Sequence, residues 1–249
     1  MGLGGTADAR EKLFASTSWT LIGEAGGAES SSQTCRALTQ LCTIYWRPLY
    51  LFLRRQGYTS HDAQDLTQAF FGQLIATRFY MRADPDQGRF RSFLLGALKH
   101  FLANRKDYEQ AQKRGRGVDF VPLTEAVEQE VNESIARSYR LNAEASYERE
   151  WAVTLLRRVI TLLEQECRVA GKAHLFNALK SRMGAEEPNA PSYEELAQQL
   201  SRSVPNLRKD VSRLRQRYRI ILREEVGQTV ANEDEIDAEL RHLRSVMAG

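Results

Sequence analysis

The chain has 249 residues, of which 42% are hydrophobic and 27% are charged, and its formal net charge is +3. These values are typical of a folded protein with one large domain or two small ones, and they exclude a disordered, low-complexity chain. No apolar run approaches the roughly 20 residues that span a bilayer, and the N-terminus lacks the apolar core of a signal peptide. We therefore expect a cytoplasmic protein without membrane insertion.

The cysteines and histidines do not form a recognisable site. Three cysteines occur without a CxxC pair, and the four histidines are scattered along the chain. Metal sites and disulfide frameworks have characteristic spacings that are missing here. We expect no metal ion and no cofactor.

Hydrophobic periodicity predicts an all-α protein, because apolar residues recur at helical spacing and period-two alternation is almost absent. The segment between the two helical blocks has few large apolar residues and several glutamates, which is typical of a flexible acidic linker. The predicted divisions are an N-terminal extension at 1–33, a first helical domain at 34–113, a linker at 114–146, a second helical domain at 147–226 and a C-terminal extension at 227–249.

In the first block, a helix opens at Ser60 with an N-capping pattern and two early carboxylates, Asp62 and Asp65. General acid–base catalysis by paired carboxylates also needs a pocket and two differently tuned pKa values. The sequence indicates neither feature. We do not expect an enzyme.

The segment 89–105, which follows a turn at 84–88, interleaves aromatic and basic residues. Exposed aromatic rings stack on unpaired bases, and neighbouring arginine and lysine side chains hold phosphates. This pattern favours a single-stranded nucleic-acid contact. The alternative is that Phe90, Phe93 and Phe101 belong to the core.

In the second block, a short amphipathic helix at 193–200 precedes a longer one that starts near Ser203 and Pro205. Proline is tolerated in the first helical turn, and serine is a good N-cap. One face of the second helix is apolar and the opposite face is rich in arginine, which is the outline of a helix-turn-helix. The alternative is a solvated basic face on a bundle helix.

The tail at 232–247 is amphipathic through Ile236, Leu240 and Leu243. We expect this helix to pack on the second domain or on a partner protein.

The chain resembles the extracytoplasmic-function sigma factors of bacterial RNA polymerase. The resemblance rests on DAQDLTQAFFGQLI at 62–75, DPDQGRFRSFLLGALKHFLAN at 84–104 and the helix-turn-helix, in this order. The chain departs from the family pattern at Ala69, His100 and Ser201, where glutamate, asparagine and glycine are usual.

The resemblance implies a sigma domain 2 in the first block and a sigma domain 4 in the second. It implies three binding surfaces. The polymerase-binding residues are Asp62, Gln64, Asp65, Thr67, Gln68 and Phe71. The residues that melt and bind the minus-10 promoter element are Arg89, Arg91, Lys99, His100, Asn104 and Arg105. The residues that bind the minus-35 element as duplex are Asn206, Arg208, Lys209, Ser212, Arg213 and Arg215.

The partners implied by the resemblance are core RNA polymerase, through the clamp of its largest subunit and its flap region, and promoter DNA. An anti-sigma or other regulatory protein is a further expected partner. Two other interpretations stay open at this point: a free-standing helix-turn-helix transcription regulator and a scaffold made of two helical bundles. The regulator leaves the acidic helix at Asp62 and the aromatic-basic helix at Phe90 without a role.

Overall fold

The computed structural model describes residues 31–109, 129, 142–183, 191–230 and 232–248. These ranges contain helices and turns but no β-strand, which confirms the all-α prediction. The extension predicted at 1–33 and the linker predicted at 114–146 lie almost wholly outside the described residues. The helices that the described ranges contain are α1 Ser31–Arg55, α2 Ser60–Ala76, α3 Phe90–Glu109, α4 Ala143–Val169, α5 Ala173–Leu179, α6 Tyr193–Leu200, α7 Val204–Gly227 and α8 Ile236–Ala248.

The chain divides into two compact units. The first consists of residues up to Thr154 together with those from Val226 onward, and the second is Leu155–Glu225. Helix α4 contributes to both units, because its 27 residues run without a break. The sequence places the start of the second domain at 147, where a second helical block with an apolar stripe begins. The structure instead assigns the first turns of α4 to the first unit.

The first unit has an aromatic core between α1, α2 and α3. Tyr45 of α1 meets Phe90 at the start of α3 edge to face, with ring centroids 5.5 Å apart. Phe70 of α2 meets Phe101 of α3 in the same way at 5.8 Å. Such pairs stabilise a core beyond the burial of their area. The core interpretation of Phe90 is therefore correct.

Helix α8 also belongs to the first unit. Its Ile236 is buried and lies next to Gly227, where an added Cβ would come within 3.2 Å of the Ile236 side chain. The absence of a side chain at Gly227 permits this close approach. The tail contacts Glu148 and Arg149, which the sequence places in the second domain and which the structure assigns to the first unit.

The second unit contains the two helices, α6 and α7, that the sequence interprets as a helix-turn-helix. Leu175 and Leu179 of α5, Leu196 of α6, and Leu207 and Val211 of α7 form one buried cluster. Packing of three helices around a shared apolar cluster fixes the orientation of α7 relative to α6. The opposite face of α7 is left exposed.

The turn between α6 and α7 is determined by the residues that cap α6 and begin α7. Ser192 caps α6 in a capping box, in which its side chain accepts from the Glu195 N–H and the Glu195 carboxylate accepts from the Ser192 N–H. Ser201 ends α6 in the left-handed region, with φ 50° and ψ 45°. Glycine is the residue that usually adopts this left-handed conformation at the end of a helix. Ser201 adopts it here, so the turn keeps its backbone geometry without glycine. Helix α7 then begins at Val204, directly after Ser203 as the sequence predicts.

We predict that the capping box makes stability depend on pH. The pKa of Glu195 is lowered, first by the hydrogen bond from the Ser192 backbone. A lowered carboxyl pKa stabilises the folded state above the unfolded-state pKa, and this contribution is lost as the pH falls through the folded-state pKa. Glu195→Ala should therefore unfold at lower urea concentration than the wild type at neutral pH. The gap should close in acid, and a gap independent of pH would contradict this assignment.

Candidate nucleic-acid interface

Helix α7 presents a polar face to solvent from Asn206 to Arg219. Leu207, Val211 and Ile221 are buried on its inner side. Residues spaced by three and four positions on the outer side form two adjacent rows along the helix. All six residues predicted to bind the minus-35 element are exposed in these rows: Asn206, Arg208, Lys209, Ser212, Arg213 and Arg215.

These side chains differ in how freely they can reach a ligand. The Arg213 side chain is 77% exposed and forms a 3.5 Å ion pair with Asp210. Arg215 donates to two backbone carbonyls, with Nη2 2.7 Å from Arg182 O and Nε 3.2 Å from Met183 O. Arg215 therefore holds the corner after α5 together, whereas Arg213 is available for a ligand.

Two arginine–aromatic contacts support the start of the interface. The guanidinium of Arg208 lies 5.4 Å from the centroid of the Tyr193 ring, and that of Arg182 lies 5.2 Å from the same centroid. Arg182 Nε also donates to Pro191 O at 2.9 Å. Tyr193 thus fixes Arg208 near the start of α7 through a cation–π contact. Arg182 was not predicted as part of the site, because it is separated from α7 in sequence.

The arrangement on α7 fits duplex nucleic acid. An α-helix fills the major groove, and side chains near its N-terminus reach base edges while later ones meet phosphates. Asn206, Lys209 and Ser212 supply donors and acceptors within the first three turns, and Arg213 supplies a positive charge next to them. The geometry therefore supports combined base and phosphate contacts.

The start of α3 in the first unit is different, because its arginines are already paired. Arg91 is only 4% exposed; its Nε lies 2.8 Å from Glu148 Oε2, and its Nη1 donates to Glu239 of α8. Arg89 is partly exposed and also donates to Glu239. Burial alone would lower the pKa of Arg91, but the charges of Glu148 and Glu239 outweigh this effect and raise the pKa.

Arg91 is enclosed on its remaining side. Its guanidinium stacks 4.0 Å from the Trp151 ring, and the Tyr147 hydroxyl donates to Arg91 O at 2.8 Å. In this arrangement Arg91 does not face solvent. The sequence-based role of Arg91 in binding the minus-10 element thus requires a change in the residues that cover it.

The other residues predicted to bind the minus-10 element lie nearer the surface of α3. Lys99 is exposed and forms a 2.8 Å ion pair with Glu144. His100 and Asn104 are exposed one turn apart, with 3.1 Å between His100 Nδ1 and Asn104 Nδ2. Arg105 is half-buried over the Phe101 ring. Lys99, His100 and Asn104 therefore remain accessible to a nucleic-acid strand.

The residues predicted to bind polymerase divide between surface and core on α2. Asp62 and Asp65 are exposed, and Gln64 and Gln68 are half-buried. Thr67 is fully buried and donates to Ala63 O at 2.7 Å, and Phe71 is buried. We accordingly expect Thr67 and Phe71 to support the shape of α2, while any direct partner contact falls to the carboxylates and amides.

Sequence inspection missed Glu239, Glu148 and Trp151, which enclose Arg91. A signal for Glu239 exists in hindsight, since it shares the helical stripe of Ile236 and Leu243, on which a charged residue is unexpected. Glu239 is 0% exposed. A carboxylate on an apolar stripe predicts a buried cationic partner, but the sequence alone does not identify that partner as Arg91.

Comparisons with protein-family models, curated proteins and solved structures find no match to this chain. Within the described ranges, no group of three histidine, cysteine or acidic side chains lies together as metal ligands would. None of the helices described by the structure is long and apolar enough to cross a membrane.

We predict that alanine substitutions of two nearby arginines on α7 have different effects, one on stability and the other on DNA binding. Arg215→Ala should lower the free energy of unfolding by about 1 kcal/mol, because the carbonyls of residues 182 and 183 lose their donor. Arg213→Ala should change stability by less than about 0.5 kcal/mol. It should instead reduce the slope of log K against log salt for duplex DNA by about 0.9, the value of one phosphate contact. Urea unfolding and fluorescence anisotropy measure the two effects, and equal effects of both variants would contradict the assignment.

Proposed function

We propose that this chain is a sigma factor, which binds core RNA polymerase and directs transcription initiation at specific promoters. In this proposal α7 binds the minus-35 element as duplex, and α3 with the turn before it binds the opened minus-10 element. The chain itself is not an enzyme, because the polymerase supplies the chemistry. We place it in the cytoplasm, where the polymerase works.

The observation that carries the proposal is the exposed face of α7 in the helix-turn-helix. Three features support a base-contacting role: the short capped α6, the left-handed turn at Ser201, and the outward direction of Asn206 and Lys209. A merely solvated basic face would not need this turn. The face therefore favours duplex recognition over a scaffold role.

The first unit supports the remaining functions of a sigma factor. Its α2 exposes Asp62 and Asp65 towards solvent, which suits an electropositive partner such as a polymerase clamp. Its α3 exposes Lys99, His100 and Asn104, which suit contacts to an unpaired strand. Core polymerase, through its clamp and flap, and promoter DNA are the proposed partners. A regulatory protein is a further one.

The same face of α7 would serve a free-standing helix-turn-helix regulator, which is the second candidate. A regulator binds duplex DNA on its own, whereas a sigma factor depends on polymerase for tight promoter binding. The acidic surface of α2 favours the sigma factor, because carboxylates do not bind phosphates and a regulator leaves them without a role.

We predict new transcription starts when the purified chain is added to core RNA polymerase on a pool of genomic fragments. Sequencing of the transcripts should show starts that depend on the chain and that share two spaced upstream motifs. A sample without the chain is the control. Absence of new starts, together with binding of duplex DNA by the chain alone, would favour the free-standing regulator.

We further predict that Lys209→Ala weakens binding to the preferred upstream motif by about 1–3 kcal/mol, as expected for a base contact. Arg219→Ala is the matched control, since Arg219 is exposed on the same helix roughly 15 Å further along. The control should weaken binding to all sequences alike. Equal losses of Lys209→Ala on preferred and scrambled motifs would argue against base recognition by Lys209.

A further inference from the structure

Helix α8 occupies two arginines that the proposed function assigns to the minus-10 element. Glu239 accepts from Arg89 through Oε2 and from Arg91 through Oε1. One carboxylate therefore bridges both guanidinium groups, and Glu148 supplies a second negative charge at Arg91. Arginine binds carboxylates and phosphates with the same planar donor geometry, so Glu239 takes the place that a nucleic-acid phosphate would need.

Other contacts hold α8 in this position. His242 Nε2 lies 3.0 Å from Glu148 Oε2, the carboxylate that also pairs with Arg91. At the end of α8, Arg149 Nη1 donates to Val246 O at 3.4 Å. Ile236 and Leu243 are buried on the same side. The contacts run along the whole helix, so α8 covers Arg91 as a unit.

Helix α8 is nevertheless a short element that depends on these contacts. It has 13 residues, and isolated helices of this length are marginal in water. Removal of a single partner from a buried ion pair is costly because a charge is left unpaired. A phosphate that replaced Glu239 would keep both arginines paired with an anionic oxygen, and this exchange avoids that cost.

We propose that α8 is an autoinhibitory helix, which competes with nucleic acid for Arg89 and Arg91 by means of Glu239. The inference rests on the proposed function, in which the start of α3 binds the opened promoter strand. With α8 docked, Lys99, His100 and Asn104 remain accessible and Arg91 does not. Full engagement of a strand then requires displacement of α8.

The test compares Glu239→Gln with the matched control Glu233→Gln in the full-length chain. Both remove one negative charge, but Glu233 is exposed and lies before α8. Binding of labelled single-stranded DNA of about 20 nucleotides is measured by anisotropy over a range of salt concentrations. Glu239→Gln should bind several-fold more tightly. Its slope of log K against log salt should steepen by about 0.7 for each arginine that gains a phosphate contact on a single strand.

A second substitution distinguishes an effect of the released arginine charge from an effect of a general loosening of the fold. In the Glu239→Gln background, Arg89→Gln should return about 0.7 of the gain in slope, because the phosphate contact of Arg89 is lost. The control Glu233→Gln should match the wild type in affinity and slope. Equal affinity and slope for Glu239→Gln and Glu233→Gln would overturn the proposal.

Hydrogen–deuterium exchange on the wild type tests the proposal even if a variant fails to fold. Saturating single-stranded DNA should raise exchange in residues 236–248, and unchanged exchange with DNA bound would overturn the proposal.

The transcription assay distinguishes failure of the autoinhibition proposal from failure of the proposed sigma function. Starts at equal levels with wild type and Glu239→Gln would remove the autoinhibition and leave the sigma function. A gain in strand binding without starts from any variant would remove the sigma function alone.

Discussion

The buried ion cluster around Arg91 determines much of the first unit. A guanidinium with 4% exposure can stay charged only if carboxylates and a ring surround it, and Glu148, Glu239 and Trp151 do so. Glu148 and Trp151 lie on α4 and Glu239 lies on α8, so one side chain of α3 requires two further helices in fixed positions. The compact division of the chain consequently falls within α4 and includes α8 in the first unit.

The basic residues of this protein fall into two groups that composition does not separate. Arg91 and Arg215 are committed to internal partners, and Arg217 is held by Glu166 at 2.6 and 2.7 Å. Arg213 and Lys209 face solvent. A carboxylate inside the fold neutralises a guanidinium just as a phosphate would. A count of the arginines on a helix therefore overstates how many of them can bind nucleic acid. Only the second group contributes charge to an interface.

Local sequence signals predicted the helices well, because caps and periodicity act over a few residues. Ser203 and Pro205 mark the start of α7, and the inward side of α7 follows its apolar spacing. Such local signals do not predict which residues pair when they are far apart in the sequence. Glu239 and Arg91 are 148 positions apart, and the burial of Thr67 and Phe71 depends on how α2 meets its neighbours. Residue type identified polar candidates on α2 and α3, whereas packing decided which of them reach the surface.

The exchange of Glu239 for phosphates leaves the number of ionic hydrogen bonds of Arg89 and Arg91 nearly unchanged, because each guanidinium keeps an anionic partner. Undocking of α8 also exposes Ile236 and Leu243, at about 1.5–3 kcal/mol for each buried aliphatic side chain. The burial of this apolar surface keeps α8 docked when no strand is present. A strand must offset its exposure through further contacts, such as those to Lys99 and Asn104, so a chance encounter with one phosphate is too weak to release α8.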